Sequence, residues 1–74
     1  MKLTKPQLDL LTAIDRRPSG ADHLWLCHAL RGPVREPTVK ALERMRLIEH
    51  IGDRGEILKC TAAGRRRVME EQLS

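Results

Sequence analysis

The scarcity of aromatic side chains constrains this chain more than any other feature of its sequence. Among 74 residues there is one tryptophan, Trp25, and there is no phenylalanine or tyrosine. A chain of this length forms one domain and buries only about 60–65% of the surface that its unfolded form exposes. Aliphatic side chains and methionine must therefore build almost the whole core, which argues against a large enzyme with a deep cleft.

The net charge of +4 is unevenly distributed along the chain. Residues 31–67 hold ten basic and five acidic side chains, a net charge of +5, whereas residues 1–30 carry +1 and residues 68–74 carry −2. A concentrated positive field attracts polyanions, so this distribution favours a nucleic acid as partner. No apolar run approaches the roughly 18–20 residues of a membrane span, and the first residues lack the apolar region of a signal peptide. We therefore expect a cytoplasmic protein with no membrane partner.

The first half of the chain predicts two helices. Helix 1 covers residues 5–16, where Thr4 can cap the N-terminus and form a capping box with the glutamine three residues on. Helix 2 covers residues 21–30 and is apolar on more than one side, beyond the single stripe that a surface helix needs. Trp25 points away from its main stripe. This side chain either fills space beneath helix 1 or the sheet, or joins a dimer or partner surface, because large aromatic residues anchor interfaces.

The second half predicts a third helix and a β-hairpin. The helix covers residues 36–46, has a proline in its first turn and faces the core with Val39, Leu42 and Met45. The hairpin covers residues 47–61, because β-favouring residues flank the glycine-bounded turn 52–55.

A last helix is predicted over residues 62–72, with Thr61 as its cap. Met69 and Leu73 are expected to point inward from it. The run Arg65–Arg67 spreads over about 200° of the helix, so it cannot face one partner as a unit. We expect a solvated face paired with the glutamates four residues further on, with one arginine left to contact a phosphate.

Two segments resemble the winged helix-turn-helix superfamily of small bacterial and phage regulators. Residues 37–49 (Pro-Thr-Val-Lys-Ala-Leu-Glu-Arg-Met-Arg-Leu-Ile-Glu) resemble its recognition helix and first wing strand. Residues 59–65 (Lys-Cys-Thr-Ala-Ala-Gly-Arg) resemble its Leu-Thr-x-x-Gly-Arg step into the final helix. The resemblance implies a mainly α fold with a small β-hairpin, in which a three-helix core carries a two-stranded wing and a C-terminal helix.

The chain departs from this family pattern at two places. Arg46 stands where the family usually has a glycine after the recognition helix, so a left-handed exit would cost about 1 kcal/mol or be avoided. The connection between helices 2 and 3, residues 31–35, contains Pro33 and is longer than the tight turn of the family. We therefore do not assume that helix 3 has the family's angle or its fit to a groove.

The resemblance also implies that helix 3 enters the major groove of double-stranded DNA while the wing contacts the backbone. Lys40 and Arg44 are four residues apart and share one face of the helix. The implied DNA-binding residues are Arg35, Thr38, Lys40, Ala41, Arg44, Arg54 and Arg65. A solvated basic face without a ligand is the alternative, because two glutamates in the same helix dilute its charge.

Other chemistry has little support in the sequence. There is no set of nucleophile, base and acid and no glycine-rich phosphate loop, so we expect no enzymatic activity and no cofactor. His23 and Cys27 have metal-ligand spacing, but a structural zinc site needs four ligands, which His50 and Cys60 would have to complete. We expect packing roles, free thiols and no metal.

Two functions therefore remain open. The first is a small transcriptional regulator that binds double-stranded DNA. One such module buries only about 600–1,000 Å² on DNA, so a homodimer through Trp25, or through Met69 and Leu73, would enlarge the contact. The second is a winged-helix protein-interaction module, such as a phage- or mobile-element-encoded adaptor or an inhibitor of a host nucleic-acid enzyme.

Overall fold

Four helices and three short strands form the fold that a computed structural model describes for residues 2–73. In chain order they are α1 (Lys5–Asp15), β1 (Ala21–Asp22), α2 (His23–Leu30), α3 (Glu36–Arg44), β2 (Ile48–Ile51), β3 (Ile57–Cys60) and α4 (Ala62–Leu73). The predicted capping box of α1 is present, since Thr4 N donates to Gln7 Oε1 at 3.0 Å and Gln7 N donates to Thr4 Oγ1 at 3.4 Å. Within residues 2–73 no helix has the length and apolarity needed to cross a bilayer.

The strands form one antiparallel sheet in the order β1-β3-β2. β2 and β3 make the predicted hairpin, and β1 adds a third strand by pairing Ala21 with Leu58. The expectation of a two-stranded sheet, with residues 21–22 inside helix 2, is therefore wrong. Asp22 has extended backbone and its side chain accepts a hydrogen bond from Trp25 N at 2.7 Å, so α2 begins one residue after it.

The core is aliphatic and centres on α1, which packs against α2, α3, α4 and β3. Trp25 is only half-buried and packs against the edge of this core. No aromatic side chain of the described residues is fully buried. The buried residues are Leu10, Leu11, Ala13, Ile14, Ala21, Leu26, Leu42, Leu47, Ile48, Leu58, Cys60 and Val68.

The exit from α3 adopts the left-handed conformation that its arginine disfavours. Arg46 has φ +58°, its N–H donates to Glu43 O at 2.9 Å, and Leu47 N–H donates to Leu42 O at 3.0 Å. This pair of bonds is a Schellman motif, the helix ending that normally uses glycine. The left-handed backbone of Arg46 is therefore present despite its conformational cost, and the chain turns sharply from α3 into β2.

The start of α4 is fastened to that exit. Thr61 Oγ1 donates to Arg46 O at 2.7 Å and accepts from Gly64 N at 3.1 Å, while Thr61 N donates to Leu47 O at 3.1 Å. Gly64 packs so closely that a Cβ atom there would overlap the carbonyl group of Leu47. The contact between the start of α4 and the exit of α3 thus explains both the threonine at position 61 and the glycine at position 64.

This contact also sets the rotation of α4 about its axis. Gly64 and Val68 are buried, whereas Met69 and Leu73 are 62% and 85% exposed. The expectation that these two side chains point inward is therefore wrong. Their apolar character suggested a core role, but the close approach of Gly64 turns the 64–68 face of the helix inward instead.

We expect Gly64→Ala to destabilise the protein by about 2 kcal/mol or more, because the new methyl group meets backbone that cannot yield cheaply. For a domain of this size, that loss lowers the melting temperature by about 8 °C or more. Gly32→Ala is the matched control, since a Cβ there meets nothing within 4 Å. Thermal unfolding followed by circular dichroism measures both. Equal melting temperatures for the two variants would contradict this account of the junction.

We expect Arg46→Gly to stabilise the protein by about 1 kcal/mol, because glycine adopts positive φ without a steric penalty. The melting temperature should rise by about 4–8 °C. Arg44→Gly, two residues earlier and inside α3, should have the opposite effect through lost helix propensity. A destabilised Arg46→Gly protein would show that the arginine side chain contributes more than its backbone strain costs.

Candidate nucleic-acid interface

The outward side of α3 carries the cationic residues that the sequence singled out. Leu42 is buried on the inner side, and α3 packs there against α1 and β2. Lys40 and Arg44 are exposed on the opposite side and line one shallow depression with Ala41, Glu36 and Pro37. The structure therefore brings together three of the predicted contacts, Lys40, Ala41 and Arg44.

The two glutamates of α3 affect this face differently. Glu36 lies 3.6 Å from Lys40 Nζ, and both side chains are exposed, so water screens the pair. Glu43 turns towards the hairpin, where its carboxylate contacts His50 Nε2. Arg44 makes no ion pair with any residue in the range 2–73. Glu36 therefore stays on the cationic face, whereas the Glu43 carboxylate lies against the hairpin.

Arg35 and Thr38 lie beside this face rather than on it. Arg35 is the exposed N-cap residue of α3, and its side chain makes no capping hydrogen bond. Thr38 is half-buried in a crevice that it shares with Arg35, Asp9 and other residues of α1 and the 31–35 connection. It is displaced by about 160° around the helix axis from Lys40. Thr38 and Lys40 therefore cannot meet the same strip of a ligand.

The turn of the hairpin presents Arg54 at its exposed tip. Gly52 and Gly55 have φ +95° and +66°, values that favour glycine, and Gly55 N donates to Gly52 O at 3.2 Å. Glu56 holds the tip from within, since its Oε2 accepts from Arg54 N at 2.9 Å. His50 links this turn to α3, because its Nδ1 lies 2.8 Å from Gly55 O while its Nε2 contacts the glutamate of α3.

Arg65 lies away from the α3 face. Its Nε is 3.5 Å from Asp15 Oδ1, at the end of α1, and it lines a surface pocket with Glu49, Lys59 and Cys60. No residue of α3 lines that pocket. Two residues on, Arg67 pairs with Glu71 at 3.3 Å, as predicted for this run, whereas the pair expected between Arg66 and Glu70 does not form.

The three predicted partner-surface residues lie on two helices. Trp25 of α2 is half-buried, and the guanidinium carbon of Arg17 lies 5.3 Å from its ring centroid. Such a cation–π contact stabilises the ring in place. Met69 and Leu73 are exposed on α4, and Leu24 of α2 is 69% exposed. Trp25 therefore packs partly against its own chain, and the exposed large apolar side chains among residues 2–73 are Leu24, Met69 and Leu73.

Sequence reasoning missed a groove of about 310 Å³ between α3 and the hairpin. Its lining comes from four separate segments, so no local spacing could have revealed it. His23 and His50 both line the groove, but neither Cys27 nor Cys60 does. No group of three or more potential metal-ligating side chains within residues 2–73 is placed to hold an ion. The full lining is His23, Val34, Glu36, Val39, His50, Gly55, Glu56 and Leu58.

The two cysteines are free and differ in environment. Cys60 is buried, and its Sγ lies 3.7 Å from Leu11 O, to which the thiol donates. Burial, and secondarily the charge of Asp15, raise the pKa of the Cys60 thiol to about 11, while Arg65 partly offsets the shift. Cys27 is half-buried in α2.

No model of a known protein family matches this chain, and neither a curated protein nor a solved structure matches it.

We expect a thiol reagent at pH 8 to modify Cys27 in the folded protein and to leave Cys60 unmodified. The thiolate is the reactive form, and a thiol with a pKa of about 11 is almost entirely protonated at that pH. Adding denaturant should make both thiols reactive, because unfolding returns the pKa of Cys60 to its ordinary value. Cys27→Ser is the control and should abolish the reaction of the folded protein. Fast modification in that variant would contradict the burial of Cys60.

Proposed function

We propose that this chain is a winged-helix protein that binds double-stranded DNA as a small transcriptional regulator. The observation that carries the proposal is the outward face of α3, where Lys40 and Arg44 are exposed four residues apart and Glu43 is engaged by the hairpin. The major groove of B-DNA admits a helix, and lysine and arginine are the side chains that most often bind guanine edges there.

The order of elements supports this proposal. A helix pair, a third helix, a hairpin and a final helix follow one another as in the winged helix-turn-helix superfamily that residues 37–49 and 59–65 resemble. The contact between Thr61, Gly64 and the exit of α3 gives a physical reason for the second of those segments. The hairpin is held to α3 by His50, so helix and turn would approach a duplex as one surface.

Roles can be assigned within this surface. Lys40, Ala41 and Arg44 would enter the major groove, where the small alanine permits close approach. Arg35, at the entrance of α3, and Arg54, at the hairpin tip, would bind flanking phosphates, since such contacts fix register without reading sequence. From its crevice, Thr38 would reach only the edge of the DNA major groove. Arg65 would not contact the DNA at α3 and would contribute only to the overall positive potential of the protein. A cytoplasmic location is part of this proposal, and two free thiols are compatible with that reducing compartment.

A second candidate function is a protein-interaction module, such as an adaptor or an inhibitor of a host nucleic-acid enzyme. The exposed leucine at position 24, beside the half-buried Trp25, favours it, because large exposed apolar residues mark interaction sites when they cluster. In this alternative, the cationic side chains of α3 would bind no DNA and would only keep the protein soluble.

We expect the protein to bind duplex DNA with an affinity that falls as salt rises, by a logarithmic slope of about −0.9 for each phosphate neutralised. Lys40→Glu combined with Arg44→Glu should weaken binding by at least about a hundredfold, since each reversal adds repulsion to a lost contact. Fluorescence anisotropy at several salt concentrations measures both quantities.

Arg16→Glu, at the C-terminal end of α1 and outside α3, is the matched charge control and should change affinity far less. Melting curves should show that all variants remain folded. Absence of binding at 50 mM salt, or equal losses for the control and the α3 variant, would reject DNA binding through α3 and leave the protein-interaction function as the better account.

A further inference from the structure

The solvent-facing side of α4 carries an apolar stripe. At about 100° per residue, Ala62, Arg66, Met69 and Leu73 fall within about 60° of one another on the side opposite Gly64 and Val68. All four side chains are exposed. Three of the four are apolar, although this side of a solvated surface helix normally carries polar residues.

The charges of α4 are arranged in two blocks, basic in its first half and acidic in its second. Arg65 and Arg67 are engaged by carboxylates of their own chain, at 3.5 and 3.3 Å. Arg66 and Glu70 differ from them, because both are exposed and neither makes an ion pair with any residue of the described part of the chain. They lie on the same flank of the apolar stripe, separated by about 40° around the helix.

We propose that two copies of this chain associate by packing their α4 helices antiparallel along this stripe. A two-fold axis near Val68 places Arg66 of one copy opposite the partner's Glu70, and symmetry repeats the ion pair on the other side of the axis. The same register brings Met69 beside its symmetry mate. It also lays Leu73 over the small side chains of the first turn, so large residues meet small ones.

Charge complementarity favours a second copy of this chain as the partner, in the antiparallel orientation. A parallel pairing would set the basic first half of one α4 beside the basic first half of the other, and acidic beside acidic, and like charges across an interface are strongly unfavourable. The basic-then-acidic order of α4 is complementary to itself only when reversed, which is the property that an isologous dimer requires. The stripe and the outward face of α3 consist of different residues on different helices, so the proposed dimer and the proposed DNA contact use separate side chains.

The interface is small, because a 12-residue helix is only about 18 Å long. Interfaces below about 1,200 Å² are typical of transient complexes, so the monomer and dimer should exchange. The association needs no DNA and is measured without it, so its failure and the failure of DNA binding are separate results.

Sedimentation velocity at protein concentrations up to about 1 mM tests the proposal. The wild-type chain should shift from monomer to dimer as concentration rises. Arg66→Glu and Glu70→Arg each place like charges across both symmetry-related contacts, so each should raise the dimer dissociation constant at least about tenfold. Met69→Ser should also raise it, through the loss of apolar contact at the axis.

The decisive measurement mixes the two charge variants in equal amounts. Each chain then meets a partner of opposite charge at both contacts, so the mixture should form a heterodimer although neither variant forms a homodimer at that concentration. A change in the stability of α4 cannot produce this rescue, because each variant chain keeps its own like charges. The double variant Arg66→Glu, Glu70→Arg should regain self-association.

Lys40→Glu is the control, and it should leave the dimer unchanged while it weakens DNA binding. Circular dichroism should show folded chains throughout. A wild-type protein that stays monomeric over the whole concentration range would overturn the proposal. So would a mixture of the two charge variants that sediments as its components do.

Discussion

The close contact between the start of α4 and the exit of α3 is the constraint on which the rest of the structure depends. Arg46 bears a left-handed backbone that costs an arginine about 1 kcal/mol, and such strain persists only where its surroundings enforce it. Here Thr61 enforces it, because its hydroxyl binds Arg46 O and its N–H binds Leu47 O. Because Gly64 has no side chain, α4 can also approach the carbonyl group of Leu47 closely. One junction therefore fixes the end of α3, the start of β2 and the rotation of α4.

The position of the charges follows from this junction. β2 leaves α3 sharply enough for His50 to reach back to Glu43, and this contact holds the Glu43 carboxylate against the hairpin. The rotation of α4 buries Val68 and leaves Met69 and Leu73 in solvent. A chain with only one aromatic residue thus leaves some of its large apolar side chains outside the core, because backbone geometry determines which side of each helix faces inward.

Local signals in the sequence predicted much of the fold. The capping box at Thr4 and the N-cap at Thr61 involve residues three apart, so spacing alone reveals them. The contacts that shape the candidate interface are different, since they join distant segments. β1 has two residues and exists only through its pairing with β3, about 36 positions later, and no periodic pattern marks so short a strand. The ion pair between Asp15 and Arg65, which draws that arginine away from the α3 face, is equally non-local.

Taken together, the two proposals require both surfaces to fit a single duplex. From α3 of one copy to α3 of the other, a chain of helices runs through α1 and α4 of each, and neighbouring packed helices lie about 8–10 Å apart. This path has five distances between neighbouring helices. They add up to at most about 40–50 Å when the six helices lie in one row, and to less when the row is bent. Successive major grooves on one side of B-DNA lie about 34–36 Å apart. This upper limit exceeds the groove spacing, so the two proposals together call for two half-sites about one duplex turn apart, and the two-fold axis would require a palindromic site. α1 packs against both α3 and α4, and the junction at Thr61 and Gly64 also joins α4 to the exit of α3, so the rigidity of both contacts would determine how closely the dimer keeps one separation of its α3 helices.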